Sequence, residues 1–261
     1  MKNKKIVDFI VQRNQALGYN FTRLWLQTDC ELPEIAPGQF VQVQIPSSVH
    51  GWLRIPVSVH FADAAKGQVW LLVQKVGDGS RKIASLQEGG KVNLVLPLGQ
   101  GFALPQENTA NGSEILLVGG GCGIAPLYYL GIRLKERNLP FRFLTGARDR
   151  ERLALTEELA RMAPLEICTE DGSQGFKGLV TGHPLWKEAN IGLVYTCGPT
   201  PMMKAVARKA AEKGAYCEVS LENTMACGLG ACLCCVTPMA DGHNACVCTE
   251  GPVFDSRKLG W

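Results

Sequence analysis

No apolar run in this chain of 261 residues approaches the roughly 18 to 20 residues that cross a bilayer, so no membrane segment is expected. A secretory leader is not expected either. The basic start Met1 to Lys5 leads into only a few apolar residues before Asp8 interrupts them, too short for an h-region, and the chain reads as cytoplasmic. Charge of one sign is also scarce: 27 Lys and Arg against 24 Asp and Glu leave a net +3, too little to argue for nucleic acid or an acidic membrane as partner. The four histidines, at 50, 60, 183 and 243, show no metal-binding spacing, and His60, within a strand pattern, reads as structural. There is no internal repeat and no low-complexity segment. What is left is an ordinary globular composition, 46% hydrophobic and 20% charged, with length for two domains and a small appendage.

Cysteine, by contrast, is abundant. Of eleven cysteines, Cys227, Cys232, Cys234, Cys235, Cys246 and Cys248 crowd into one short stretch near the carboxyl end, and in a reducing compartment such crowding points to metal rather than to disulfides. The run Cys227-Gly-Leu-Gly-Ala-Cys232-Leu-Cys234-Cys235, with Cys248 further on, contains C-x4-C-x2-C…C, the plant-type [2Fe-2S] spacing. Gly228 and Gly230 allow the loop to wrap an inorganic core with its N–H groups turned inward. Two other readings stay open at this point: a zinc knuckle, which also uses C-x2-C pairs, and cysteines buried as small hydrophobes. A Rieske-type centre needs two histidines here, and only His243 is present.

The rest of the chain divides by pattern. From Lys5 to about Gly101, short alternating segments (FTRLWLQT, GQFVQVQI, PVSVHFA, QVWLLVQKV, KVNLVLPLG) predict an antiparallel barrel or sandwich. One helix is expected within it, starting at Ser80 as N-cap and ending before Gly89-Gly90. Residues 103–112, ALPQENTANG, read as a linker. Beyond it, strand and helix alternate (EILLVGGG, PLYYLGIRLKER, FRFLTGA, TEELARMA, LEICTED, IGLVYTCG, PMMKAVARKAAEKG), which predicts a parallel α/β sheet covered on both faces. The strand YCEVSLE then leads into the cysteine tail. The expected division is 1–102 for the barrel, 113–214 for the α/β domain and 215–261 for the cysteine module.

Gly119-Gly-Gly-Cys-Gly123-Ile-Ala-Pro126 stands where a strand ends and a helix begins, a junction at which a diphosphate can approach the backbone and face a helix N-terminus. It is not the dinucleotide fingerprint G-x-G-x-x-G followed by an acid about 20 residues on. The arginines at 148, 150 and 152 leave NADP open beside NAD, although a solvated helix start reads equally well from them. Cys197-Gly198-Pro199 is a second strand-to-helix junction, and two of these at one sheet end reinforce a nucleotide site. For Cys197 alone, a buried thiol is the plain alternative. In the barrel, Arg54-Ile-Pro56-Val-Ser58 and Gly77-Asp-Gly79-Ser80 stand out, the latter as a turn able to hold a diphosphate or simply to close a hairpin.

Together these motifs resemble the ferredoxin–NADP reductase superfamily, and within it the electron-transfer subunits of two-subunit, NAD-linked dihydroorotate dehydrogenases. The likeness runs along essentially the whole chain and is most specific in the tail ENTMACGLGACLCC…CVCTEGPVF. It implies cluster ligation by Cys227, Cys232, Cys235 and Cys248. It implies FAD binding by the R-P-x-S segment, here Ile55, Pro56, Val57 and Ser58, with Ile in the arginine position and Arg54 one residue early. Leu72, Val73 and Gln74 would hold the isoalloxazine edge, and Gly79 and Ser80 the diphosphate. The nicotinamide site would be lined by Gly119, Gly120, Gly121, Gly123, Pro126, Cys197, Gly198 and Pro199. The resemblance further implies an FMN-containing catalytic partner that oxidises dihydroorotate, assembled as a heterotetramer, with electrons crossing the cluster and FAD to NAD+. No residue of this chain is expected to act as a catalytic acid, base or nucleophile. The alternatives are a related FAD/[2Fe-2S] NAD(P)H:ferredoxin-type reductase subunit and a non-enzymatic nucleotide-binding protein with structural zinc.

Overall fold

The computed structural model describes residues 4–45, 53–105 and 113–261; most of the expected linker, residues 106–112, lies outside them. Six strands form a closed barrel: β1 (Lys5–Ala16), β2 (Phe21–Gln27), β3 (Phe40–Val43), β4 (Ile55–Asp63), β5 (Gln68–Gln74) and β6 (Lys91–Leu98), with one helix, α1 (Asp78–Ala84), between the last two. They are ordered β1-β2-β5-β4-β3-β6, and every pair is antiparallel. Alternation explains the closure. Val7, Phe9 and Val11 of β1, Val41 and Val43 of β3, and Val92, Leu94 and Leu96 of β6 all point into one buried core, leaving the intervening residues for the outer wall. β1 is not among the segments expected from sequence, because apolar Ile6 and Ile10 occupy outward positions between Val7, Phe9 and Val11 and hide the period of two.

The helix α1 corrects a second expectation. It starts at Asp78, two residues before Ser80, and Gly77 is its N-cap. Ser80 sits inside the first turn, where its hydroxyl accepts the N–H groups of Val76 and Gly77, both at 3.0 Å, and donates to Gly77 O. Serine thus caps from within the turn, reaching back to the backbone ahead of it.

The second sheet is built from β7 (Glu114–Gly120), β8 (Phe141–Ala147), β9 (Leu165–Thr169), β10 (Phe176–Lys177), β11 (Ile191–Cys197) and β12 (Tyr216–Ser220), in the order β10-β9-β8-β7-β11-β12 and all parallel. Its helices are α2 (Ile124–Glu136), α3 (Thr156–Met162), α4 (Leu185–Glu188) and α5 (Thr200–Glu212). The tail adds a small hairpin, β13 (Val236–Pro238) with β14 (Asn244–Cys246), and then β15 (Val253–Asp255), which joins β12 antiparallel at the sheet's edge. The sheet therefore continues past Gly214 into the strand YCEVS and is finished by the cysteine tail itself.

Several contacts hold the barrel against this sheet. The α2 residue Tyr129 donates its hydroxyl to Ile35 O at 2.8 Å and lies 3.1 Å from Ala62 O. The buried Arg23 of β2 pairs with Glu158 of α3 at 2.6 Å. On the opposite face, Phe40 and Leu98 of the barrel share an apolar cluster with Met225, Cys235, Val247, Cys248 and Phe254, so the cysteine tail wedges between barrel and sheet. Among the described residues no helix is long and apolar enough to cross a membrane.

Candidate redox site

The strand order places a topological switch between β7 and β11, since the chain runs outward from β7 through β8, β9 and β10 and then returns to the other side with β11 and β12. Ligands of open parallel sheets bind outside the carboxyl ends at such a point. A cleft of about 630 Å³ opens there, lined by Gly120, Gly121 and Cys122 after β7, Arg148 after β8, Glu170 after β9, Pro199 and Met202 after β11, Glu222 after β12, and Gln74 from the barrel.

The glycines of the first junction differ in what they do. A Cβ on Gly123 would stand 2.2 Å from Cys197 O, one on Gly120 2.6 Å from Met202 Sδ, and one on Gly119 2.7 Å from Ile124 Cδ1. These three let α2 and the Cys197-Gly198-Pro199 turn pack against each other. Gly198 completes that packing with φ +149 and Gly120 N 3.0 Å from where its Cβ would be. Gly121 is the exception: its φ is +55 and nothing lies within 4 Å of a Cβ there, so it presents bare backbone to the cleft. Pro126 falls in the first turn of α2, where its missing N–H costs no helical bond.

Glu222 was not singled out from the sequence. It lies two residues past the end of β12, and Cys197 Sγ donates to its Oε1 at 3.8 Å. Its side chain opens to the cleft while protein surrounds it on most other sides, and this desolvation raises its carboxyl pKa. An acid placed just past an apolar strand at a sheet's carboxyl end was the available signal. Burial also drives the Cys197 thiol well above its ordinary range and Cys122 up to about 12, with Glu222 adding to both. Both thiols stay protonated at neutral pH and are poor nucleophiles.

On the barrel, Cys122 Sγ donates to Leu72 O at 3.5 Å, joining the expected flavin segment to the glycine turn. Leu72 and Val73 are buried, and Gln74 reaches the cleft. Ile55 packs on the α1 turn: a Cβ on Gly79 would lie 2.3 Å from Ile55 Cδ1. Pro56 and Ser58 pair with Gln42 and Phe40 of β3. The Arg54 guanidinium is engaged by Asn93 O at 3.0 Å, by Asn93 Oδ1 and by Gln42 O, so it fastens β4 to its neighbours. With the Ser80 hydroxyl committed to its own turn, any diphosphate at Gly79 and Ser80 would depend on main-chain N–H groups of the first turn, which lack helical partners. Of the three arginines after β8, Arg152 is paired with Asp149, hydrogen-bonded to Tyr19 Oη at 2.9 Å and laid over the Tyr19 ring.

The cysteine loop is shaped by left-handed residues, Gly228 at φ +67, Gly230 at +82 and Leu233 at +56, which turn successive N–H groups inward. Leu229 N–H donates to Cys227 Sγ at 3.3 Å. Together with the N–H groups of Cys232 and Ala231 it holds the Cys227 pKa at about 6, which favours the thiolate that binds metal. The sulfurs lie in two neighbouring pairs, Cys227 with Cys232 and Cys235 with Cys248, whose N–H donates to Cys235 Sγ at 3.4 Å. Among the described residues no three His, Cys, Asp or Glu groups converge as a single metal ion requires. Two pairs suit two irons, each taking two thiolates. Cys234 turns away toward Thr224 O, Cys246 lies in β14 beside the pairs, and His243 is bound to Asp241.

The comparisons with known proteins agree with this geometry. Residues 222–260 match the family model described as the iron–sulfur cluster binding domain of dihydroorotate dehydrogenase B. The electron transfer subunit of dihydroorotate dehydrogenase B (NAD(+)) from Shouchella clausii is 38% identical over 200 residues, 77% of this chain and 76% of that protein. Its counterpart from Desulforamulus reducens is 37% identical over 243 residues, 88% of this chain and 90% of that protein. A solved structure of an NADH-dependent reduced ferredoxin–NADP oxidoreductase, described for flavin-based electron bifurcation, superposes with a TM-score of 0.86 at 29% identity, covering 97% of this chain and 90% of that one. The chain thus belongs to the family of electron transfer subunits of dihydroorotate dehydrogenase B.

Proposed function

We propose that this chain is the electron-transfer subunit of an NAD-linked dihydroorotate dehydrogenase of pyrimidine biosynthesis, joining an FMN-containing catalytic subunit to NAD+. FAD and the [2Fe-2S] cluster supply the redox chemistry, exchanging a hydride with the nicotinamide and single electrons with the partner side. The chain's residues position these groups. Cys227, Cys232, Cys235 and Cys248 hold the cluster. Ile55 to Ser58 and Leu72 to Gln74 hold the flavin, on a strand that Arg54 fixes, and Gly79 and Ser80 hold its diphosphate. Gly121 offers backbone to the nucleotide within a frame made by Gly119, Gly120, Gly123, Pro126, Cys197, Gly198 and Pro199. The buried, protonated Cys197 thiol backs the nicotinamide side of the cleft, and Glu222, to which it donates, presents a carboxyl of raised pKa there.

In this reading 1–102 is the flavin unit, 113–214 the nucleotide unit and 215–261 the cluster unit, with β12 shared by the last two. The observation that carries the proposal is the pairing of four sulfurs in a chain that also has a cleft taking residues from both barrel and sheet. The test is an absorption spectrum of anaerobically purified protein with and without NADH, together with iron and zinc analysis. Flavin bands and a red shoulder that bleach with NADH, at about two irons per chain, are expected. A colourless zinc protein would overturn the reading. Sedimentation with the catalytic subunit should give a heterotetramer. Stable assembly with a protein lacking FMN would favour the ferredoxin-type reductase instead, which the 29% identical structure makes the second reading.

A further inference from the structure

On β3 the alternation sends Val41 and Val43 into the barrel core and leaves Phe40 and Gln42 on the outer wall. Phe40 belongs to the apolar cluster that also contains Cys235 and Cys248. Gln42 is 1% exposed, and neither Oε1 nor Nε2 of its side chain has a hydrogen-bond partner among the described residues. A buried amide without a partner is penalised by lost hydration, and an apolar residue would satisfy the strand pattern equally well. What stands beside it is the glycine that follows Cys227: a Cβ on Gly228 would lie 3.0 Å from Gln42 Cγ and 3.1 Å from its Nε2. Across the strand pair is Pro56, in the flavin segment. The free amide therefore occupies the seam between that segment and the cysteine loop.

We propose that the Gln42 side-chain amide donates a hydrogen bond to inorganic sulfide of the cluster that Cys227 would hold, and thereby raises its reduction potential; the inference rests on the cluster reading above. Only the NH2 end of an amide serves an anionic sulfur, which settles its orientation. A donor favours the reduced cluster because reduction adds negative charge to the sulfurs, and hydrogen bonds to sulfur are among the levers that set such potentials. Gly228 is required for the same reason, since a side chain there would push the amide off.

The experiment uses the whole protein with its cofactors, grown with glutamine labelled with 15N in the side chain and reduced with dithionite. Pulsed electron paramagnetic resonance of the reduced cluster should show a 15N coupling that disappears in Gln42→Met, a residue of similar length without a donor. In a redox titration the ratio of reduced to oxidised cluster in Gln42→Met should fall about tenfold at the poise that half-reduces the wild type, equivalent to about 59 mV for one electron. If methionine is not tolerated, Gln42→Asn withdraws the amide by one methylene, and the same fall in the ratio of reduced to oxidised cluster is expected. A cluster signal with no glutamine coupling and an unchanged ratio would overturn this proposal alone. Absence of any cluster signal in the wild type would overturn the cluster reading with it.

Discussion

Gly123 and Gly121 stand two residues apart in one motif and answer to different constraints. Gly123 has no room: its added Cβ would meet the backbone of Cys197 at 2.2 Å, and backbone cannot swing aside as a flexible side chain can. Gly123→Ala should therefore destabilise the protein by about 2–4 kcal/mol, in the range of severe overpacking, read as a lower urea midpoint. At Gly121 there is room but an unfavourable φ of +55. Gly121→Ala should lower stability by only about 1 kcal/mol while weakening NADH binding, measured by titrating flavin reduction. Equal effects of the two substitutions on binding and stability would contradict this division. The motif's glycines were legible as a group; which one faces ligand was not, because that depends on a strand some 70 residues away.

At the level of elements, the packing of α2 on β4 buries a histidine that is easy to overlook in the chain. His60 is fully buried, its Nδ1 3.3 Å from Ala125 O and its ring stacked on Tyr128 with centroids 4.4 Å apart. Burial, aided by the charge on nearby Arg23, lowers its pKa from 6.5 to about 3. Between these values the unfolded chain carries the proton and the native protein does not. Stability is therefore complete above about pH 6.5 and falls by up to about 1.4 kcal/mol per pH unit as the solution is acidified toward pH 3. The expected outcome is a Tm that drops between pH 6.5 and 4 in the wild type and drops less in His60→Phe. Parallel curves would show that His60 is not the responsible group. That His60 is structural could be read from its place in a strand. That it is sealed by α2 could not, since the helix comes from the other domain's sequence.

For the whole molecule, the cysteine tail is also part of the scaffold: β15 closes the parallel sheet, and Cys235 and Cys248, 2% and 1% exposed, share one apolar cluster with Phe40 and Leu98 of the barrel. A group bound only by the native state stabilises it. Removing iron by reductive chelation should accordingly lower Tm by several degrees and loosen the tail toward proteolysis, and an unchanged Tm would mean that the loop is held by packing alone. The chain's own order of residues determined much of this protein: the barrel-then-α/β sequence of elements through their periods of 2 and 3.6, the junctions at Gly119 to Pro126 and Cys197 to Pro199, and the C-x4-C-x2-C…C spacing. Those are local quantities, set by side-chain alternation and by loops a few residues long. Only the tertiary structure decided that Arg54 is engaged by Asn93, that Ser80 is tied up within its own turn, that Glu222 joins Cys197 in the cleft, and that Gln42, against Gly228, has no partner among the described residues. Each of those depends on which distant strands become neighbours, and closure of the barrel and the switch in strand order set that through long-range packing that no local pattern encodes.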